Sequence, residues 1–179
     1  LQIEFKNTKK GNALSINMLD KLYKILSYKK NLKNISCITF KGYKNGPFSS
    51  GADLEDLNLK QKKTNLKQYH KKFDNVLTIL QSINIPKICL VNSFCIGAGF
   101  IFALHTDIIL AEDKSIFAIP ASKHGIKIPE KQLKILYKKF SNNYFLLDII
   151  ISSRNFSAKE AYNANLVSQV IDVNKFKNF

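Results

Sequence analysis

The chain has 179 residues, of which 45% are hydrophobic, and its 28 basic residues against 13 acidic ones give a formal net charge of +15. That length and composition suit one globular domain with a substantial core, and we expect a single domain over residues 1–179. No apolar run is long and uncharged enough for a transmembrane helix, and the scattered cysteines and histidines have no spacing typical of a metal site.

Hydrophobic periodicity predicts strands and helices that alternate along the chain. Residues 1–5 alternate as a strand, and Ser15 is a good N-cap for the amphipathic helix that follows it. A Lys- and Asn-rich loop is expected at residues 60–67. The further predicted strands are residues 35–40, 88–91, 107–111, 115–119 and 166–171. The further predicted helices are residues 66–80, 100–104, 130–139, 143–151 and 157–163. This alternation predicts parallel βαβ units and therefore an α/β fold.

Glycine-rich junctions follow two of the predicted strands. Gly97 and Gly99 flank Ala98 where an apolar helix begins, and Gly51 stands next to Ala52 at a second strand-to-helix junction. The first N–H groups of a helix have no internal partner, and the helix dipole makes that end positive. If the Ala52 and Ala98 amides converge, they form an oxyanion hole for an enolate or a tetrahedral intermediate. Close packing of helix against strand is the alternative explanation for Gly97 and Gly99.

Five short and different motifs follow one another along most of the chain. They are Asn12-Ala13-Leu14, Phe48-Ser49-Ser50-Gly51-Ala52-Asp53-Leu54, Gly97-Ala98-Gly99 with Ala103, Leu104 and Asp107, Phe117-Ala118-Ile119-Pro120 with Gly125, and Ser157-Ala158-Lys159-Glu160-Ala161 with Leu166-Val167-Ser168. In this order and at this spacing they resemble the crotonase superfamily, the enoyl-CoA hydratase/isomerase family. The resemblance implies a crotonase-like spiral of ββα units in which the Ala52 and Ala98 amides hold the thioester oxygen of an acyl-CoA.

The resemblance also implies how the chain ends and assembles. The family continues into C-terminal helices that help to build trimers, and these 179 residues stop short of them. The chain begins at Leu1 and not at Met, so we expect a fragment, and a targeting sequence could lie outside these residues. The full-length form is expected to be a homotrimer or hexamer.

The catalytic carboxylates of the family are replaced in this chain. The resemblance places one glutamate at Ile101 and the second at Ala121, and general acid–base catalysis is worth about 10²–10⁴-fold per group. Glu130 follows Pro129, as an acidic residue follows a proline in the 3-hydroxyisobutyryl-CoA hydrolase branch, and His124 lies in the loop after Ala121. We keep Glu130 and His124 as candidate catalytic groups. A first-turn helix residue and a surface-loop histidine are the alternatives.

Other polar residues near the motifs have binding or structural explanations. Asp53 is expected to fix the loop that holds Ala52, whereas capping or packing explains His70 and His105, and core packing explains Cys95. The resemblance implies that the substrate is a coenzyme A thioester, and neither a cofactor nor a metal is expected. The residues expected to bind it, with the first two at the CoA phosphates, are Lys9, Lys10, Ser50, Gly51, Asp53 and Gly97.

Three functions remain open at this level. The chain is interpreted as an acyl-CoA-binding protein that is a divergent hydratase, isomerase or hydrolase, as an inactive relative that retains the fold, or as an RNA-binding relative. The basic charge is almost all lysine, with Arg154 the single arginine, which favours compositional drift over selected nucleic-acid binding. Free cysteines favour a reducing compartment, mitochondrial or cytoplasmic.

Overall fold

The computed structural model describes residues 1–57 and 64–176, and its strands form two sheets. The larger sheet has five strands in the order β1-β2-β3-β5-β8, all paired in parallel. The smaller sheet has the order β4-β6-β7, in which β4 and β6 are parallel and β6 and β7 antiparallel. The strands are β1 (Gln2–Phe5), β2 (Ile38–Gly42), β3 (Lys87–Val91), β4 (Phe94–Ile96), β5 (Ile108–Glu112), β6 (Ile116–Ala118), β7 (Phe156–Ser157) and β8 (Gln169–Ile171).

Helices connect the parallel strands, and three of them begin with side-chain caps. The Asn142 side-chain oxygen accepts from the Tyr144 and Phe145 amides of the helix that follows it. The Ser15 hydroxyl accepts from the Met18 amide, and Ser157 and Glu160 form a reciprocal capping box. The helices are α1 (Ile16–Ser27), α2 (Leu54–Leu57), α3 (Thr64–Ser82), α4 (Ala98–Ala103), α5 (Glu130–Lys139), α6 (Asn143–Ser152), α7 (Ala158–Asn163) and α8 (Val173–Phe176). Of the helices in the described ranges, none combines the length and the apolar character needed to span a membrane.

The predicted α/β fold with parallel strands is confirmed, and the differences are local. Strand β2 begins at Ile38 and not at residue 35, because the turn at Asn34 (φ +64°) is followed by a bend at Ser36 before the chain becomes extended. Strands β4 and β7 were not predicted, since two or three residues carry too little alternation to be recognised. A loop was expected at residues 60–67, of which residues 60–63 lie outside the described residues. For residues 64–67 the expectation is wrong, because they form the first turn of α3.

Helix α4 lies between two aromatic clusters of the core. The Phe102 ring packs edge-on against Phe5 and Phe40, with centroids 5.4 and 5.0 Å away. The Phe100 ring packs edge-on against Phe117 and Phe156 at 5.4 and 5.6 Å. All six side chains are at most 3% exposed. Because both clusters contact α4, the core fixes the position of this six-residue helix and of the backbone amide at its start.

Replacing Phe102 by alanine should therefore be costly. We expect Phe102→Ala to lower the free energy of unfolding by about 3–5 kcal/mol, since the ring leaves a cavity between two buried neighbours. Tyr144→Ala is the matched control, because Tyr144 is 86% exposed and its loss should cost less than about 0.5 kcal/mol. Urea denaturation measures both, and equal midpoints for the two variants would contradict this account of the core.

Candidate active site

The two glycine-rich junctions lie side by side because Ser49 pairs with strand β4. The Ser49 amide donates to the Phe94 carbonyl at 3.1 Å, and the Ile96 amide donates to the Ser49 carbonyl at 2.9 Å. Two residues later the backbones remain close: a β-carbon on Gly51 would lie 3.1 Å from the Ile96 carbonyl oxygen and 3.7 Å from the Ala98 amide nitrogen. The junctions therefore meet at one place, with Ala52 and Ala98 on adjoining backbone segments.

Glycine is required at each of the three glycine positions of these junctions for an identifiable physical reason. Gly51 and Gly97 have φ values of +108° and +53°, a region that residues with a β-carbon rarely adopt. Gly99 has no such constraint, but a β-carbon there would lie 2.6 Å from the Ser49 β-carbon. Close helix packing explains Gly99, whereas backbone turns explain the other two.

The Ala52 and Ala98 amides are left without a protein acceptor among the described residues, although their neighbours are engaged. The Gly51 amide donates to the Ser49 hydroxyl at 3.1 Å, and the Gly97 amide donates to the Ala118 carbonyl at 2.9 Å. Backbone N–H groups that lie away from bulk water are nearly always paired in folded proteins. Two unengaged donors on adjoining segments are therefore available to an acceptor from outside the chain.

Residues 7–14 hold the first of these two junctions in place. The Ser50 amide donates to the Gly11 carbonyl at 2.9 Å, and the Ser50 hydroxyl donates to the Lys10 carbonyl at 2.6 Å. The Asn12 side chain is buried and donates to the Pro47 carbonyl at 2.7 Å. These bonds fix the loop at several points before it reaches Ala52.

An ion pair closes the same loop on its other side. The Lys10 ammonium contacts both carboxylate oxygens of buried Asp53 at 2.9 Å and the Glu55 carboxylate at 2.6 Å. Asp53 also accepts from the Glu55 amide at 3.1 Å. Hydrogen bonds to Glu55 and Asp53 raise the pKa of Lys10. The charge of Lys10, expected at the CoA phosphates, is thus already engaged by two carboxylates, whereas Lys9 is exposed.

A cavity of about 160 Å³ opens at the meeting point of the junctions. Ser50, Gly51, Ala52, Gly97 and Ala98 form one wall, and α3 and the segment from Ile119 to Gln132 form the others. No carboxylate lines it among the described residues, and residues 58–63 and 177–179 contain no Asp or Glu in their sequence.

The positions of the two absent glutamates lie on this cavity. Ile101, which is 5% exposed, and half-buried Ala121 both line it. The side chains at the two expected acid–base positions are therefore apolar, and they face the same space as the free amides. Such walls strengthen electrostatic interactions but transfer no protons.

The two candidate catalytic side chains have different positions. His124 lines the cavity from the short turn Ser122–His124 and is exposed there. The structure does not bring Glu130 to the cavity. Its exposed side chain pairs with Lys134 at 2.8 Å, one helical turn later, as expected of a first-turn residue on the outer face of α5. The expected site role of Glu130 is not supported by this geometry.

Buried Cys95 lies outside the cavity lining, and burial raises the pKa of its thiol, so that it stays a packed neutral group.

His70 and Tyr69 line the cavity although sequence reasoning assigned neither to the site. The Tyr69 hydroxyl donates to the Leu14 carbonyl at 3.0 Å, and burial raises its pKa. Burial lowers the pKa of His70, an effect that Asp74 partly opposes. The one signal in the sequence that could have placed His70 in the site is its position next to the apolar stripe of α3. In the structure this stripe forms part of the cavity wall.

We expect Gly99→Ala to destabilise the protein by about 1–3 kcal/mol, because the new methyl overlaps Ser49. Ser49→Gly removes the nearest overlapping atoms, so the double variant should recover part of that loss. A double-mutant cycle from urea denaturation measures the coupling. Strictly additive effects would show that this contact does not set the distance between the two junctions.

Comparisons with known proteins agree with this architecture. The family model for enoyl-CoA hydratase/isomerase matches residues 1–178. The crystal structure of an enoyl-CoA hydratase/carnithine racemase from Magnetospirillum magneticum has a TM-score of 0.91 at 21% identity, covering 99% of this chain and 66% of that one. The human enoyl coenzyme A hydratase domain-containing protein 3 has a TM-score of 0.88 at 26% identity, with 99% and 69% covered. The first of these likenesses shows the fold alone.

Curated relatives match by sequence at low identity. The human mitochondrial enoyl-CoA hydratase domain-containing protein 3 is 28% identical over 170 residues, which cover 94% of this chain and 55% of that protein. Carnitinyl-CoA dehydratase of Salmonella arizonae is 33% identical over 95 residues, or 53% of this chain and 36% of that protein. The chain thus spans a little over half the length of the full-length relatives that it matches from end to end. The family match over residues 1–178 shows that the chain belongs to the enoyl-CoA hydratase/isomerase family, a branch of the crotonase superfamily.

Proposed function

We propose that the chain binds a coenzyme A thioester and holds its carbonyl oxygen between the Ala52 and Ala98 amides. The observation that carries this proposal is the pair of unengaged N–H donors on adjoining backbone segments of one cavity. A thioester carbonyl offers the acceptor that these donors lack. Ser50, Gly51, Asp53 and Gly97 support the donors through backbone shape and loop contacts. Exposed Lys9 is the lysine of the pair that we propose for the CoA phosphates.

Two fixed donors polarise the carbonyl and stabilise negative charge as it develops on the oxygen. Removal of one such donor from an enzyme typically costs about 2.7–4 kcal/mol of transition-state stabilisation. The apolar walls formed by Ile101 and Ala121 strengthen this effect by excluding water. They also leave no carboxylate to activate a water molecule. The proposed reaction class is therefore thioester polarisation in a divergent hydratase/isomerase, with hydration strongly reduced.

The hydrolase alternative loses its main support because Glu130 points away from the cavity. The inactive relative differs from our proposal only in turnover, so the assays below separate the two.

Self-association belongs to the same proposal. Helix α6 exposes Tyr144, Leu147 and Ile151 along one face, at 86, 40 and 72% exposure. Such a stripe fits a contact with another copy of the chain in a trimer or hexamer.

The donor at Ala98 can be removed with little change to the helix. Ala98 is the first residue of α4, where proline is tolerated, and proline has no N–H. Ala98→Pro should weaken binding of butyryl-CoA about three- to tenfold, which corresponds to one lost hydrogen bond, and leave the affinity for free CoA unchanged.

Asn143→Pro is the matched control for that variant, because Asn143 is the exposed first residue of α6. Isothermal titration calorimetry measures the affinities of the unmodified protein, Ala98→Pro and Asn143→Pro for butyryl-CoA and for free CoA. An equal loss of affinity for butyryl-CoA and free CoA, or no loss, would contradict a role of the Ala98 amide in holding the carbonyl.

Hydration of crotonyl-CoA should be far slower than in a typical family member, because both acid–base positions are apolar. Ile101→Glu and Ala121→Glu together should raise the hydration rate. The rate is measured as the loss of the enoyl absorbance. Each single change should do little, since the two groups act through the same water.

The control for this restoration is Ile101→Gln with Ala121→Gln, which has the same shape and no carboxylate. Rapid hydration by the unmodified protein would overturn the assignment of Ile101 and Ala121 to the two catalytic positions.

A further inference from the structure

The cavity described above contains one half-buried imidazole that the proposed function does not yet use. His70 lies on α3, and its side chain lines the cavity together with Gly51, Ala52 and Ala98. Its Nδ1 is enclosed and has no hydrogen-bond partner among the described residues. Within the described parts of the chain Nε2 has no hydrogen-bond partner either, and it is not among the enclosed atoms. An imidazole on the wall of an active-site cavity, with no structural bond to satisfy, is free to interact with a bound molecule.

The other titratable side chains of the cavity are less suited to exchange a proton with a bound thioester. The Tyr69 hydroxyl is committed to the Leu14 carbonyl, and its raised pKa keeps it neutral. Lys127 and His124 line the cavity from exposed positions on the segment after Ala121. His70 alone among the described lining residues combines an imidazole with partial burial.

Asp74 gives His70 a counter-charge one helical turn away. Both residues are on α3, at positions i and i+4, which share one face of the helix. The half-buried Asp74 carboxylate accepts from the buried Gln132 amide at 3.4 Å, a contact from α5 that orients it. Burial keeps the pKa of His70 below its ordinary value, so the ring is neutral near pH 7 and has a lone pair that can accept a proton. Asp74 stabilises the imidazolium that forms when the ring takes up a proton.

We infer that His70 is the proton-transfer group of this cavity and acts on the carbon next to the thioester carbonyl, an inference that rests on the proposed thioester binding. His70 takes the proton from that carbon: the C–H bond breaks and an N–H bond forms on the imidazole. The electron pair moves to the carbonyl oxygen, where the Ala52 and Ala98 amides hold the enolate. Return of the proton to the same carbon regenerates the thioester, and return to a conjugated carbon shifts a double bond.

The test is hydrogen exchange at C2 of butyryl-CoA in D2O. The exchange rate is measured by NMR as the loss of the C2 proton signal. We expect the unmodified protein to catalyse this exchange and His70→Gln to lose about 10²- to 10⁴-fold of the rate, the range for one acid–base group. Binding of butyryl-CoA, measured separately by calorimetry, should persist in His70→Gln. Lys71→Gln is the matched control, since it changes an exposed neighbour on the same helix and should exchange at the unmodified rate.

A second variant separates a chemical role from a structural one. His70→Ala leaves space in the cavity wall, and added imidazole should restore exchange in proportion to its concentration. Exchange that is unaffected by His70→Gln, or absent from the unmodified protein despite butyryl-CoA binding, would overturn this inference and leave thioester binding intact. Failure of the unmodified protein to bind butyryl-CoA would overturn the proposed function and the inference with it.

Discussion

Ser49 exchanges two backbone hydrogen bonds with strand β4, and this short bridge sets the distance between the two halves of the site. The loop that carries Ala52 arrives from β2, and the helix that carries Ala98 starts from β4, so without the bridge the two amides would belong to separate surfaces. Gly99 allows the two backbone segments to approach closely. Gly51 and Gly97 allow each segment to turn next to the Ser49 bridge. The aromatic clusters around α4 hold the segment with Ala98, and the hydrogen bonds from residues 7–14 hold the loop with Ala52.

Much of the fold could be predicted from the sequence because its signals are local. The bounds of α5 follow from Pro129 and a clear apolar period, and Ser15 and Ser157 mark helix starts through their own side chains. Strands β4 and β7 escaped, since their stability comes from pairing with β6, which is distant in sequence. The same limit applies to the site. Gly51 and Gly97 could be recognised as turning points, but their mutual distance depends on long-range pairing.

The side chains of the site were harder to predict than its backbone. Glu130 was attractive because it follows a proline, yet the helical register turns it to solvent and towards Lys134. Capping or packing explains His70 at the level of sequence because it borders an apolar stripe, and only the assembled fold shows that this border is also a cavity wall. Lys10 was expected to meet an external phosphate, but two acidic residues of its own chain neutralise it. In each case the chemistry of the side chain could be recognised, but its partner depended on tertiary contacts that no local pattern encodes.

The donors that we propose for this site are main-chain amides, and this choice affects how such a protein changes over evolutionary time. Every residue except proline carries the same N–H group, so substitutions at positions 52 and 98 leave the donor chemistry in place as long as the backbone path survives. Acid–base groups have no such protection, because one nucleotide change can delete a carboxylate. A lineage built on this scaffold can therefore discard one reaction and acquire another while its affinity for an activated carbonyl persists. Apolar Ile101 and Ala121 line the same cavity as Ala52 and Ala98, as such a history would leave them.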